Sequence, residues 1–92
     1  SDLSAFGAMT ECQRRGLTIP GDIAIGGFGA YDLSEQAFPP ISTIDVRATG
    51  IGTIAAQVIL NLLSGEPDAT AQTTIHRIEP ELLVRDSSLR HR

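Results

Sequence analysis

The sequence has no lysine and no tryptophan, one cysteine, and only 4% aromatic residues. Each shortage excludes something. Without lysine, positive charge rests on seven arginines against eleven acidic residues, giving a net charge of −4. That balance offers no basic face able to displace counterions, so this stretch by itself is not a nucleic-acid-binding surface. The lone Cys12 cannot form an internal disulfide. With only His76 and His91 for company it cannot complete a zinc site either. Cys12 reads instead as a small buried residue on a helix. No run reaches the ~18 apolar residues of a membrane span. The N-terminus shows neither the basic region nor the apolar core of a signal peptide.

What is present is ordinary for a globular chain: 92 residues, 41% apolar and 20% charged. A domain near this size buries roughly 60–65% of the surface exposed when unfolded, which is enough to fold but marginal. The sequence opens with "SDLSAFGAM", already at a helix start, as expected of a piece of a longer protein.

The first helix is expected over residues 3–15. Asp2 suits the N-cap, and Ala5, Phe6, Ala8, Met9 and Cys12 recur on one face. Gly16 is placed to end it in a left-handed conformation, and Pro20 prevents resumption. "IAI", residues 23–25, is apolar without alternation, as in a strand covered on both faces of a parallel sheet. A second strand is expected at residues 42–46, entered through Pro39 and Pro40. A second helix spans about 47–64. Ile51, Ile54, Ala55, Val58, Ile59, Leu62 and Leu63 form a wide apolar stripe, and Gly65 and Pro67 stop it. "GEPDATAQ" is a polar connection, "TTIHRIEPELLVRDS" reads as extended, and "SLRHR" as a frayed tail.

The chemical candidates gather around "GGFGAYDLSEQAF". A dinucleotide fingerprint is excluded: after Gly27 and Gly29 its third small residue would fall on Asp32, and no long helix opens there. Two readings stay open: glycines that permit a tight turn and close backbone packing, or the carboxyl end of a strand facing a ligand cleft. No Gly-x-Ser-x-Gly elbow is present. Asp22, Asp32, Glu35 and Asp45 lie near the loop, but as ordinary loop acids rather than an acid–base pair. No catalytic residue, metal ligand or cofactor is assigned.

Four segments in order carry a resemblance. "SDLSAFGA", "GLTIPGDIAIGGFG", "PPISTI" and "RIEPELLVRDSS" together resemble the carboxyl-terminal third of a lactose-repressor-type (LacI/GalR) transcriptional regulator. The match covers nearly the whole chain. It implies an α/β fold, part of a periplasmic-binding-protein-like core of two lobes with parallel sheets around an effector cleft. Residues 1–44 would lie in one lobe, 45–65 in the other, and 75–86 back in the first. A helix-turn-helix headpiece that reads operator DNA would lie outside this chain. The implied partners are a small-molecule effector, operator DNA through that headpiece, and a second copy in a homodimer or higher oligomer, in the cytoplasm and without a membrane.

Carried over by position, the resemblance implies effector contacts at Ser1, Asp2, Gly29, Ala30 and Val46. It implies a hinge at Asp45 and Val46, and a dimer interface at Phe6, Ala37 and Phe38. Gly29 stands where many sugar-binding members have an aspartate. A carboxylate there would bind sugar hydroxyls and repel an acid. Its loss is similar to the gluconate-operon repressors and implies a sugar-acid effector such as gluconate. A sugar-binding protein of a transport system, with the same fold, is the alternative. The second helix's stripe would pack on strands this chain lacks, so the chain alone is expected to be oligomeric, by exchange of that helix between copies.

Overall fold

The computed structural model describes residues 1–65 and 75–90. The chain forms α1 (Asp2–Arg14), α2 (Asp32–Gln36), β1 (Thr43–Asp45), α3 (Ala48–Leu63), β2 (Glu81–Leu83) and a 3₁₀ turn at Asp86–Ser88. These elements fall into two compact units. One comprises Ser1–Val46 with Pro80–Arg92, the other Arg47–Glu79.

In the first unit, α1 begins one residue earlier than expected. Its N-cap is Ser1, whose Oγ accepts from the Ser4 N–H at 3.3 Å, so Asp2 is not the cap. The helix ends as the sequence predicts. Gly16 takes φ +78°, the Leu17 N–H reaches the Cys12 carbonyl at 2.9 Å and the Gly16 N–H reaches Gln13 at 3.0 Å. These are the paired bonds of a Schellman stop. Cys12 is half-buried rather than enclosed. The following turn is closed by Asp22, which accepts from the Thr18 N–H at 2.8 Å and its hydroxyl at 3.1 Å. Those bonds, the backbone one first, hold the Asp22 carboxyl below its usual range.

The apolar core of this unit is small: Ala5, Met9, Ala37 and Ile41 are buried, with Phe6, Ile19 and Ile25 packed against them. Five polar residues are buried as well: Asp2, Ser34, Ser42, Thr43 and Ser87. Among the described residues no buried side-chain nitrogen or oxygen lacks a hydrogen-bond partner. Polar groups inside a protein are tolerated on that condition.

The strand expected at residues 23–25 does not form as such. Ile23 and Ala24 are exposed, and the segment meets its neighbour later, through a parallel bridge between Gly26 and Ser42. Gly27 donates to the Ser42 carbonyl at 2.7 Å and Gly29 to the Ile44 carbonyl at 2.8 Å. The named sheet is antiparallel: β1 pairs with β2 in the register Thr43↔Leu83, Ile44↔Leu82 and Asp45↔Glu81. The expected parallel sheet is thus reduced, among the described residues, to that one bridge. The ladder begins late because Ser87 takes both backbone groups of Ile25. The Ile25 N–H donates to the Ser87 carbonyl at 3.1 Å, and Ser87 Oγ donates to the Ile25 carbonyl at 2.6 Å.

The tail is therefore not frayed over its described part. Ser87 Oγ also accepts from the Ser42 N–H at 2.8 Å. Ser42 Oγ donates to the Arg85 carbonyl at 3.0 Å and accepts from its N–H at 2.7 Å. Arg85 Nη1 donates to Ser34 Oγ at 2.7 Å and to the Ile41 carbonyl at 3.1 Å. Ser34 sits in α2, a helix of five residues. So short an element carries no periodic stripe, and the sequence gives no sign of it.

In the second unit, α3 follows Arg47, its N-cap, which holds a left-handed φ of 56°. None of its residues is buried. Ile51, Ile54, Ala55, Val58 and Ile59 line an open apolar cleft of about 510 Å³, completed by His76 and Ile78. The polar connection expected at residues 66–74 lies outside the described residues.

Two outcomes follow from these contacts. Ser87→Ala leaves the part-buried Ile25 carbonyl and the buried Ser42 N–H without the hydroxyl that pairs them. A loss of roughly 2–3 kcal/mol is expected in urea denaturation, because each orphaned buried group costs about 1–3 kcal/mol. The 92-residue chain alone is expected to self-associate at micromolar concentration in light scattering, since burying each aliphatic side chain of α3 is worth about 1.5–3 kcal/mol.

Candidate functional site

The glycine-rich segment is held at the edge of the first unit by a carboxylate with no exposure. Asp2 is 0% exposed. Its Oδ1 accepts from the Thr43 hydroxyl at 2.6 Å, and its Oδ2 accepts from the Tyr31 N–H at 2.7 Å. Its own N–H donates to the Phe28 carbonyl at 3.1 Å. Bonds to an ionised acceptor are the stronger class, so this residue ties α1, the loop and β1 together.

The glycines now have separate reasons. A Cβ on Gly27 would strike the Asp2 carboxylate and lie 3.2 Å from the Asp2 Cα, so only glycine lets the acid pack there. Gly29 has φ +116°, and a Cβ on it would lie 2.9 Å from Cε2 of Tyr31. The Tyr31 ring thus fills the space where a side chain at position 29 would stand. Both open readings of the loop share this feature: close packing made the edge.

Ala30 follows in a left-handed conformation, φ 55°. For a residue with a Cβ that costs about 1–2 kcal/mol. The bonds around it offset the cost. The three successive amides of Gly29, Ala30 and Tyr31 donate to the Ile44 carbonyl, Thr43 Oγ1 and Asp2 Oδ2 at 2.8, 3.2 and 2.7 Å. The Thr43 hydroxyl gives its proton to Asp2 and takes that of Ala30, so it positions the loop on β1. All three loop donors are spent inside the protein.

The structure brings Asp2, Gly29 and Ala30 together, and it buries two of the expected site residues, Asp2 and Ala37. Asp2 reaches no solvent, and its side-chain bonds to the edge run to Thr43 and Tyr31. Ala37, expected to face a second subunit, is 7% exposed and belongs to the core with Met9 and Ile41. Phe6 is half-buried against that core. Phe38 turns outward at 87% exposed, its carbonyl accepting from Gln13 Nε2 at 2.9 Å. Ser1 is exposed and engaged as the cap. Asp45 and Val46 are half-buried at the end of β1, where the chain leaves the first unit. Among the described residues no group of three or more His, Cys, Asp or Glu could hold a metal ion. No helix there is long and apolar enough to cross a membrane.

Sequence reasoning missed Thr43, Tyr31, Ser42, Ser87 and Arg85. The hydroxyls of Thr43, Ser42 and Ser87 and the Arg85 guanidinium face inward, and Tyr31 takes part through its backbone N–H and carbonyl, whereas in sequence all five sit among other polar residues.

The Asp2–Gly27 pair makes a test. Gly27→Ala is expected to cost about 1–3 kcal/mol, the usual penalty for forcing atoms into a packed site. Asp2→Ala is expected to cost roughly 3 kcal/mol, as bonds to charged groups are worth about 1.5–3 kcal/mol each. In the double variant the costs will not add, because the clash is with the carboxylate that has been removed. A double-mutant cycle on denaturation midpoints reads this out.

Comparisons with known proteins agree with the fold. Residues 1–88 match the family model of a periplasmic binding protein-like domain. The chain is 32% identical over 87 residues to the HTH-type transcriptional repressor PurR of Vibrio vulnificus, covering 95% of this chain and 25% of that protein. It is 35% identical to the solved periplasmic binding ribose operon repressor protein of Lactobacillus acidophilus, with a TM-score of 0.84 over 97% of this chain and 32% of that one. It is also 26% identical to the lac repressor dimer bound to operator and the anti-inducer ONPF, with a TM-score of 0.81 over 94% of this chain and 25% of that one. The chain spans about a quarter of the length of the curated relatives it matches. Those relatives are HTH-type transcriptional repressors. With its motifs, its packed glycine edge and this match over residues 1–88, the chain belongs to the periplasmic binding protein-like domain family, in the form carried by LacI/PurR-family transcriptional regulators.

Proposed function

We propose that this chain is part of the effector-binding and dimerisation core of a cytoplasmic DNA-binding transcriptional repressor that responds to a sugar or sugar acid such as gluconate. The first unit belongs to one lobe and α3 to the other. The effector lies against the edge formed by residues 28–31, with Ser1 and Val46 at its margins. Asp45 and Val46 are the joint. Phe6 and Phe38 face a second subunit.

The observation that carries this reading is the fixed edge. Its backbone is locked by Asp2 to Thr43, and Thr43 lies on the strand that runs within three residues to Val46. A displacement at the edge is therefore passed to the point where the chain changes unit. That is the requirement for coupling two sites through a two-state element. Gly29 adds the ligand class: an edge without a carboxylate does not repel an acid. The lac repressor structure, a dimer on its operator, supports the partners assigned.

In the full-length protein, gluconate is expected to bind more tightly than ribose in calorimetry and to change operator affinity by about 5–150-fold, the usual span of allosteric coupling. Tighter binding of the neutral sugar would overturn the sugar-acid assignment. A protein that binds operator identically with and without either probe would overturn the effector role.

A further inference from the structure

The 28–31 edge offers a ligand very little. The amides of Gly29, Ala30 and Tyr31 are consumed by the Ile44 carbonyl, Thr43 and Asp2. Asp2 is fully enclosed. Gly29 and Ala30 have no polar side chain, and Phe28 has an apolar one, 51% exposed. By elimination, one side chain in this edge carries a hydrogen-bonding group: Tyr31, 61% exposed.

The position of its ring is set by the fold. The Tyr31 N–H is held at 2.7 Å by the buried Asp2 carboxylate, and its carbonyl accepts from Ser34 Oγ at 2.7 Å. The backbone is thus fixed on both sides of the side chain. The ring then lies over Gly29, with Cε2, Cδ2 and Cζ at 2.9, 3.3 and 3.3 Å from where a Cβ would be. Gly29 is therefore not only the loss of a side chain. It makes room for a neutral aromatic one with a hydroxyl at its tip.

We propose that Tyr31 is a specificity-determining contact of the effector site. It stands in for the side chain that position 29 does not have. A phenol differs from a carboxylate in the way that matters for an acid. It donates a hydrogen bond to an anionic oxygen without bringing charge, while its ring face covers the C–H side of a polyol. The pairing of a glycine with an adjacent tyrosine selects for a carboxylate-bearing sugar derivative over a neutral sugar. This inference rests on the effector role proposed above.

The test uses the full-length protein with Tyr31→Phe and Tyr31→Ala, titrated calorimetrically with gluconate and with ribose. The ring is exposed and its backbone bonds survive both changes, so the thermal midpoint is expected to hold. Tyr31→Phe is expected to weaken gluconate about tenfold, the loss of one hydrogen bond to a charged group. Tyr31→Ala is expected to weaken it further, and ribose is expected to suffer less from losing the hydroxyl. If both variants bind gluconate as the unaltered protein does, Tyr31 is not a contact and this inference falls, while the effector role stands. If ribose alone binds and is indifferent to both changes, the inference falls with the sugar-acid class. If the unaltered protein binds neither probe, the effector reading fails first and takes this inference with it.

Discussion

The first unit depends on a carboxylate removed from water. Asp2 has no exposure, yet both of its oxygens are engaged, by a hydroxyl on β1 and a backbone amide in the loop. A charge in that position is tolerable only when its acceptors are filled. The demand is therefore mutual. Thr43 must present its proton, Tyr31 must present its amide, and Gly27 must have no side chain. Three segments distant in sequence are brought into register by the needs of one group. With an apolar core of four buried residues among those described, such polar pairing supplies definition that burial alone would not.

The same logic recurs at the residue just before β1. Ser42 and Ser87 close a ring of bonds through Arg85 and Ile25, in which each hydroxyl both gives and takes a proton. The two networks lie on adjacent residues of the chain, Ser42 and Thr43. One serves the closing segment and the other serves the candidate ligand edge. β1 is short, at three residues, but it is fixed from two directions before the chain leaves the unit.

How much of this was legible follows the range of the forces involved. α1 and α3 were legible because helix periodicity, a glycine stop and a terminal proline are written within a few residues. The Gly16 stop formed as expected for that reason. The strand at residues 23–25 was misplaced because its pairing depends on Ser87, far away in sequence. Asp2 was assigned the nearest available task, capping, although Ser1 performs it. A side chain's preference for a remote donor leaves no local mark. The glycine edge was recognisable as special, but its reasons, the Asp2 carboxylate and the Tyr31 ring, arise only when the fold brings those groups against Gly27 and Gly29. The apolar stripe of α3 was read correctly as a stripe, and its exposure follows from its belonging to a unit with little else in it.

The Ser87 bonds have a consequence for biosynthesis. Ile25 and Ser87 are 62 positions apart, so the early part of this unit is completed by groups that leave the ribosome much later. While α3 is being made, the nascent segment ending at Val46 lacks β2, Arg85 and Ser87, and the backbone groups of Ile25 and Ser42 remain hydrated. The unit closes only after the chain has departed from it, built the intervening helix and returned. Its assembly is thus timed by translation of the closing segment, and a chain arrested before that return would have the residues of the Asp2–Thr43–Tyr31 bonds without the clasp that holds β1 in place.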